Sequence, residues 1–506
     1  MKARSASQSP IYMRVVKILV GSVTAQPASS QPEVRAGPRE RAYKKYMKDS
    51  PIVALALRCT GFLERYLPDA FVFALGATGL CLGAGWLWTG TGLGTMLDGW
   101  GKGFFSLLGF TLQMSLIIIL GHVVASAPPV ARQLERIAGL AQTAKGGVTL
   151  VAVLAMLSSW LNWGFSLTFS AMLARATARR FAARGQPIDY RALAAASFLG
   201  LGSIWAQGLS GSAALQMATV GALPPGLQGH GIPLSQTIFL WQSFVSVAVE
   251  VSIVTALFWL IAPRESDAVT AAALGIDLTD DTHPEVEPSK LRPGERPEHS
   301  LGLSLLFVAL ATAYLTRSLI SAPSVLEAVN LNTINLGLLT LGTALHRTPA
   351  RLQRAFAQAT PAVWGVILQF PFYGGIAGVL ASAHLNERIA GLFVGAASQG
   401  TLPPLVGLYS LVLGIFVPSG GSKWLIEAPY VLEAASRLHV HAGWMVAVYD
   451  LGEALANLVQ PFWMLPVLGI FGLRARDVMR YTVITFFVLL PVVMGLTYGL
   501  GLTLTR

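Results

Sequence analysis

The chain has 506 residues, 53% of them hydrophobic and only 12% charged, with a mean hydropathy of +0.58. A water-soluble domain carries about 25% charged residues, so this chain lacks the charge to coat a water-facing surface and is an integral membrane protein. Apolar runs of about 18 residues or more recur from Phe71 to the C-terminus, each able to cross a hydrocarbon core of ~30 Å. A soluble enzyme, a nucleic-acid binder and a single-span receptor are thereby excluded. The net charge of +11 is concentrated at the N-terminus, where residues 1–50 hold ten Lys/Arg against three Asp/Glu. A basic surplus beside membrane spans reflects the positive-inside bias, not a nucleic-acid partner.

In chain order, residues 1–50 are rich in Arg, Lys, Ser and Pro, and their one apolar stretch, Val15 to Val20, is interrupted by Lys17. The segment reads as a disordered basic tail or an over-long gene start rather than a well-formed leader. Residues 51–261 form a first membrane unit, 262–300 a polar cytoplasmic linker, and 301–506 a second unit with one extra connecting helix. Nine segments read as crossing helices: about 71–88, 104–126, 192–222, 237–261, 301–320, 333–346, 361–383, 442–470 and 481–505. The linker holds nine Asp/Glu against four Lys/Arg and is Pro-rich. Its Asp281, His283, Glu285 and Glu287 read as a solvated acidic loop rather than a metal site. Cys59 and Cys81 lack metal-ligand spacing. No cofactor is expected beyond a proton or sodium as coupling ion.

Two further apolar stretches, 148–174 and 389–423, carry breaks at Asn162-Trp163-Gly164 and at Pro418-Ser419-Gly420-Gly421. The first is flanked by Arg132, Arg136 and Lys145 before it and Arg175, Arg179, Arg180, Arg184 and Arg191 after it, so both flanks belong on the cytoplasmic side. A segment with both flanks on one side must enter and return, which makes it a re-entrant hairpin. The second has Glu387 with Arg388 on one flank and Glu427, Glu433 and Arg437 on the other, and charge counting places both outside. Two more helices are interrupted, at Gly208-Leu209-Ser210-Gly211-Ser212 and near Asn457 to Pro461.

The two units repeat one another. Leu112-Gln113 recurs as Leu368-Gln369, Val123-x-Ala125-Ser126-Ala127 as Val379-x-Ala381-Ser382-Ala383, and Gly164-x-Ser166 as Gly420-x-Ser422, all at an interval of 256. Glu135-Arg-Ile-Ala-Gly-Leu140 returns as Glu387-Arg-Ile-Ala-Gly-Leu392 at 252. The extra helix 301–320 reverses the second unit, so the expected fold is an all-α polytopic membrane protein with an inverted-topology repeat. It has about nine crossing helices, two re-entrant hairpins and two broken helices. Irregular backbone at membrane depth is tolerated only against protein or a water-filled cavity. Four breaks therefore point to a central cavity lined by helix ends and hydroxyls, suited to a carboxylate and a cation.

At these breaks the sequence resembles the bacterial short-chain fatty acid transporter family, which includes acetoacetate and butyrate carriers. The matching stretches are Tyr66-Leu-Pro-Asp69, Asn162-Trp-Gly-Phe165, Ser210-Gly-Ser212, Gln369-Phe-Pro-Phe-Tyr373, Val417-Pro-Ser-Gly-Gly421, Gln460-Pro-Phe-Trp463 and Arg476-Asp477. The resemblance implies uptake of short-chain monocarboxylates across the inner membrane. More distantly, the plan resembles an ion transporter superfamily whose dicarboxylate/sodium members move one domain as an elevator. The family's second tip tends to read Gly-Gly-Gly-His-Trp, whereas here it is Gly420-Gly-Ser-Lys-Trp424, so Lys423 puts a fixed positive charge in place of a titratable ring.

The candidate substrate-binding residues are Asn162, Trp163, Gly164, Ser166, Ser210, Gly211, Ser212, Ser419, Gly420, Gly421, Ser422, Lys423, Asn457 and Gln460. Small polar residues also pack membrane helices, and Gln113, Gln369, Trp424 and Trp463 are equally open to a packing role. Ionisable residues within spans are costly and default to function. Glu453, Asp450 and Glu250 are the coupling-ion candidates; Asp450 and Glu453 share a helix face. Lys423 is expected to swing toward Ser419 and Ser422 or to snorkel outward. His122 reads as an interhelical hydrogen-bonding partner. The expected partners are a short-chain monocarboxylate and the lipid bilayer, with a homodimer left open and no nucleic acid. An intramembrane enzyme lacks its signatures here: there is no HExxH, paired DDxxD, histidine box or Gly-x-Ser-x-Gly elbow. An inorganic-ion or dicarboxylate carrier on the same scaffold is the competing function.

Overall fold

The computed structural model describes residues 70–504 except 220–222, 224–226, 228, 230, 279–291, 324–327 and 418. The basic tail, the Tyr66 to Asp69 stretch, the Asp281, His283, Glu285 and Glu287 group and Pro418 lie outside the described residues. Every regular element among the described residues is helical, with no strand. The mean composition dictates this, because a helix satisfies its own backbone groups in lipid.

The helices in order are α1 (Ala70–Ala84), α2 (Leu93–Ser106), α3 (Leu108–Ala125), α4 (Pro128–Ala138), α5 (Ala144–Leu161), α6 (Trp163–Ala183), α7 (Tyr190–Leu199), α8 (Ser212–Ala218) and α9 (Trp241–Ile261). They continue as α10 (Leu301–Ser321), α11 (Leu331–His346), α12 (Pro349–Ala359), α13 (Trp364–Ser382), α14 (Leu385–Ala396), α15 (Leu402–Phe416), α16 (Gly420–Arg437), α17 (Ala442–Asn457), α18 (Leu465–Phe471) and α19 (Ala475–Gly501). Among the described residues eight helical stretches are long and apolar enough to cross a membrane. They are nine if α17 and α18, bent by 68° at their break, count as one. These are not the nine crossings expected: Ala144–Leu161, expected as one arm of a hairpin, qualifies by length and apolarity, and the helix at 333–346 does not.

Several boundaries differ from the sequence reading for identifiable reasons. α4 and α12 are amphipathic helices of 11 residues opened by Pro128 and Pro349, too short and too charged to register as apolar runs. The crossing expected at 104–126 begins earlier, at Leu93, because α2 carries Asp98 and Lys102. The helix expected at 333–346 is 16 residues long; at 1.5 Å per residue it covers about 24 Å, short of a full crossing by itself. The stretch 389–423 divides into three helices, α14, α15 and the start of α16. α16 continues to Arg437, so Glu427, which charge counting places in an external flank, is fully buried inside a helix.

Local caps fix the helix starts. Thr143 accepts from Gly146 N, Asp189 from Ala192 N, and Asn330 from Asn332 N and Thr333 N. α2 and α13 meet through glycines. A Cβ at Gly103 would lie 2.2 Å from the Gly374 carbonyl oxygen, and one at Gly378 would lie 2.1 Å from that of Gly99. Of the polar insert, the described part forms only short 3₁₀ turns held against helix ends. Tyr190 N donates to Val269 O at 2.9 Å, and Arg175 donates to the carbonyls of Ile470 at 3.0 Å and Asp277 at 3.3 Å.

Candidate functional site

The first break is one residue long. Asn162 leaves α5 with extended backbone and caps α6, its side-chain oxygen accepting from Phe165 N at 2.7 Å. The tip is packed on α3 so tightly that a Cβ at Gly164 would lie 2.9 Å from the Ile117 carbonyl, and one at Gly121 2.3 Å from Phe165 N. Trp163 N donates to Ser210 Oγ at 2.9 Å, and Leu209 N to Trp160 O at 2.7 Å, which ties the tip to the break between α7 and α8. In that break Gly208 abuts the Trp160 backbone, and a Cβ at Gly211 would lie 2.3 Å from Ala206 O. Ser166 turns away and donates to Ala155 O at 2.8 Å, joining the two arms.

The second break places Ser419 ahead of α16, with Ser422 Oγ donating to Ser419 Oγ at 2.5 Å. Tyr449 donates its hydroxyl to the Gly420 carbonyl. A Cβ at Gly420 would lie 2.6 Å from the Trp205 ring, and one at Gly421 2.8 Å from the Phe110 ring. At the end of α17, Asn457 Nδ2 donates to Leu201 O at 3.1 Å, Gln460 Nε2 to Asn457 Oδ1 at 2.8 Å, and Phe462 N to Gln460 Oε1 at 2.7 Å. The loosened backbone around α17 and α18 is thus satisfied by side chains, as buried polar groups require.

These breaks converge on one cavity of about 20 Å³. Its polar wall is Ser212, Ser419, Gly420, Gly421 and Asn457; its apolar wall is Met114, Ile118, Leu201, Val366 and Phe370, with Trp163, Trp205 and Trp463. The tryptophans form an edge-to-face chain, with Trp163 ring centroids 6.0 Å from Trp205 and 5.2 Å from Trp463. That volume holds about one water.

Behind the second tip lies a charged cluster. Lys423 is completely buried, with Nζ 3.0 Å from Glu427 Oε1, 3.0 Å from Glu453 Oε2 and 2.8 Å from Ser410 O, and 4.3 Å above the Tyr449 ring. It therefore neither snorkels outward nor turns to Ser419 and Ser422, because two carboxylates claim it. Glu427 Oε2 accepts from Ser410 Oγ at 2.5 Å. Asp450 is buried beside Glu453; the Ala213 and Ala214 amides face it, but neither of its oxygens has a partner in hydrogen-bonding geometry.

Glu250 stands apart, accepting from Gln207 Nε2 at 2.7 Å and Ser246 Oγ at 3.3 Å. Trp424 packs against Tyr449 at 4.6 Å, away from the cavity, and His122 pairs with Thr168 at 3.3 Å. Gln113 bonds Asn332 at 2.7 Å, whereas Gln369 Nε2 is buried without a partner. Sequence reasoning missed Glu427 and the apolar wall. A signal for part of the wall was present, since Met114 and Phe370 stand at the repeat interval of 256. No group of three or more His, Cys, Asp or Glu among the described residues is arranged to hold a metal ion.

A polytopic helical protein whose helix breaks meet at a small cavity with one polar and one apolar wall has the build of a membrane transporter. Two solved transporters share the fold. The YdaH transporter of Alcanivorax borkumensis superposes with a TM-score of 0.52 at 17% identity, over 86% of this chain and 100% of that one. MtrF of Neisseria gonorrhoeae, described with a class of antimetabolite efflux pumps, gives 0.57 at 15% identity, over 89% and 98%. Residues 52–500 match the sequence profile of the family described as Short chain fatty acid transporter, and the chain belongs to that family.

Two relatives, both provisionally named short-chain fatty acid transporters, are similar over nearly their full lengths. The Escherichia coli K12 protein is 35% identical over 447 residues, 88% of this chain and 98% of its own. The Haemophilus influenzae protein is 32% identical over 457 residues, 87% and 98%. The protein is a secondary transporter of small anionic solutes, multi-pass in the bacterial inner membrane, and not an enzyme.

Proposed function

We propose that the protein carries short-chain monocarboxylates such as acetoacetate or butyrate across the inner membrane by alternating access, driven by a proton or sodium gradient. The observation that carries this reading is the two-sided cavity. Hydroxyls and backbone at Ser212, Ser419, Gly420 and Gly421 face Met114, Ile118, Val366 and Phe370, and no cationic side chain lines it. One carboxylate head and a short alkyl tail suit such a site; a second carboxylate would be stranded among apolar side chains. The names of the two bacterial relatives favour the same substrate class.

In this reading α5 with α6 and α15 with α16 are re-entrant hairpins, and α7 with α8 and α17 with α18 are broken helices. Residues 51–261 and 301–506 are inverted repeats joined by the cytoplasmic linker 262–300. In chain order α2 to α9 of the first unit are matched by α12 to α19 of the second, α4 by α14. The cavity opens through an elevator-like movement of the hairpins and broken helices against the rest. Asn162, Trp163, Gly164, Ser210 and Gly211 shape the first half of the site, and Gly421, Ser422, Asn457 and Gln460 the second.

Proteoliposome uptake of radiolabelled acetoacetate, butyrate and acetate, with proton and sodium gradients imposed separately, tests the proposal. Saturable uptake of the monocarboxylates above protein-free liposomes is expected. Preference for a dicarboxylate, or an ion current that ignores organic acid, would transfer the assignment to the competing carriers.

A further inference from the structure

The lysine and the three carboxylates behind the second tip are not equivalent. Glu427 is held at both oxygens, Oε1 by the Lys423 ammonium at 3.0 Å and Oε2 by the Ser410 hydroxyl at 2.5 Å. Glu453 is held at one only: Oε2 faces the ammonium at 3.0 Å, and Oε1 has no partner. Asp450, three residues earlier on the same helix face, is buried with neither oxygen hydrogen-bonded. One lysine against three carboxylates leaves two negative charges in excess if all four are ionised. An interior without water does not hold such an excess, so a cation or protons must enter it.

Glu453 stands against the second tip: a Cβ on Gly420, which lines the cavity, would be 3.4 Å from its Cγ, while its carboxylate turns toward α15, where Oε2 would be 2.7 Å from a Cβ on Gly414. We propose that Glu453 is the proton-carrying group of the transport cycle and that its protonation releases Lys423 to bind the substrate carboxylate, so that each monocarboxylate crosses with one proton. The inference rests on the monocarboxylate reading above and adds the coupling ion, its stoichiometry and the residue that binds the anion.

The step balances in charge and in atoms. A proton from the entry side bonds to Glu453 Oε2 and the ion pair to Lys423 is lost. The ammonium, which does not line the cavity while both carboxylates hold it, keeps its charge and Glu427, turns toward the second tip and takes the carboxylate as its new partner. On the other side the anion leaves, Glu453 gives up the proton, and the original pair reforms. Asp450 keeps a proton throughout, so the empty cluster carries one excess negative charge; one proton and one anion add no net charge, and the loaded cluster carries the same excess as the empty one.

The other groups around Glu453 fit this arrangement. α15 presents Tyr409 and α16 presents Tyr430, joined through their hydroxyls at 3.0 Å. α17 itself presents Tyr449 and Asp450. α8 offers only the uncharged Ser212 and Gln216, and α19 has no ionisable residue between Tyr481 and Tyr498. Glu387 of α14 is paired with His384 at the helix's exposed end. Lys423 is thus the cation within reach of Glu453 among the described residues.

The test uses the full chain in proteoliposomes, with acetoacetate as probe because it permeates lipid poorly, and protein-free liposomes as the blank. Wild type should accumulate acetoacetate under an inward proton gradient, with one proton taken up per anion and no response to sodium. Glu453→Gln, which fixes the protonated form, should lose gradient-driven accumulation yet still exchange internal for external acetoacetate, more slowly, with a KM that no longer varies with pH. Glu453→Asp should keep coupling. Glu427→Gln should lower the rate, with the remainder still proton-driven. Retained proton-driven accumulation in Glu453→Gln, loss of coupling in Glu427→Gln but not in Glu453→Gln, or a sodium requirement in wild type would each overturn the inference. Failure of wild type to exchange any monocarboxylate would instead remove the substrate reading beneath it.

Discussion

Asn457 donates from Nδ2 to the carbonyl of Leu201 at 3.1 Å, and the two residues stand 256 positions apart. The same interval relates Gln113 to Gln369 and Gly164 to Gly420. In a pair of repeats related by a two-fold axis, a residue touches its own counterpart only beside that axis. Under the inverted repeat proposed above, the axis runs between the broken helices and along the edge of the cavity that Leu201 and Asn457 both line. Asn457→Leu would strand the Leu201 carbonyl and the Gln460 amide, at a cost of about 1–3 kcal/mol for each unsatisfied group. The variant should unfold at a clearly lower temperature in detergent and transport poorly. An unchanged melting temperature would show that the bond does not hold the two units together.

At the second tip the close neighbour of Gly420 is the Trp205 ring, 2.6 Å from where a Cβ would sit. Gly420→Val should abolish uptake while leaving the protein in the membrane, and Gly420→Ala should impair it. Trp205→Leu in the Gly420→Ala background should recover part of the lost rate, because the clash is with a side chain and not with backbone. Gly391→Ala is the control, since nothing lies within 4 Å of its added Cβ. Equal effects of alanine at Gly420 and Gly391 would dismiss the tip as a close approach.

The breaks at Asn162, Gly208, Ser419 and Asn457 were legible because Asn, Gly, Ser and Pro interrupt apolar runs that are otherwise uniform. Glu427 was not. It lies four residues from Lys423 and near Glu433 and Arg437, a spacing that reads equally as the solvated face of a surface helix. Only Glu453, arriving from α17, turns the Lys423–Glu427 pair into a buried cluster, and a contact across that separation leaves no local pattern. The same holds for Ser166 and Ser210. Both were legible as polar residues at breaks, yet one joins the arms of its own helix pair and the other receives the Trp163 amide.

His441 supplies a pH dependence. Its ring nitrogen Nδ1 accepts from Trp444 N at 3.1 Å and caps α17, and partial burial holds its pKa below the usual value. A protonated imidazole cannot accept that bond. Because the folded pKa lies below the unfolded ~6.5, the cap's contribution is complete above ~6.5 and declines as pH falls through the interval down to the folded value. The protection factor of the Trp444 amide, its exchange rate relative to the intrinsic rate at the same pH, should therefore fall in mildly acid buffer. His441→Asn, which caps without titrating, should remove the acid sensitivity, and an equal loss of protection in that variant would assign it elsewhere.

The proposed topology is tested by single cysteines in a background without native cysteine. Arg184→Cys and Arg476→Cys sit on exposed positions following α6 and early in α19, and Ser436→Cys on the exposed last turn of α16. Impermeant maleimide should label the first two only from the cytoplasm and the third only from outside. Labelling of Ser436→Cys from the cytoplasm alone would remove the second re-entrant hairpin and the inverted repeat together.

Lys423 offers the sharpest test of the buried cluster, because removing a charge and removing a cluster have opposite expected outcomes. Lys423→Gln leaves Glu427 and Glu453 facing the same vacated position with no cation between them, and breaking a buried pair in this way costs about 3–5 kcal/mol. The single variant should be strongly destabilised in thermal unfolding, expressed poorly and inactive. Replacing Glu427 and Glu453 by Gln in the same chain removes the uncompensated charges while keeping side-chain volume and hydrogen-bonding capacity. That triple variant should regain most of the lost stability, far from the sum of three separate losses, and still fail to couple transport to a proton gradient. If Lys423→Gln alone melts with wild type, the ammonium is not held between the two carboxylates in the membrane. The excess charge beside the second tip would then have to be balanced by a bound cation instead.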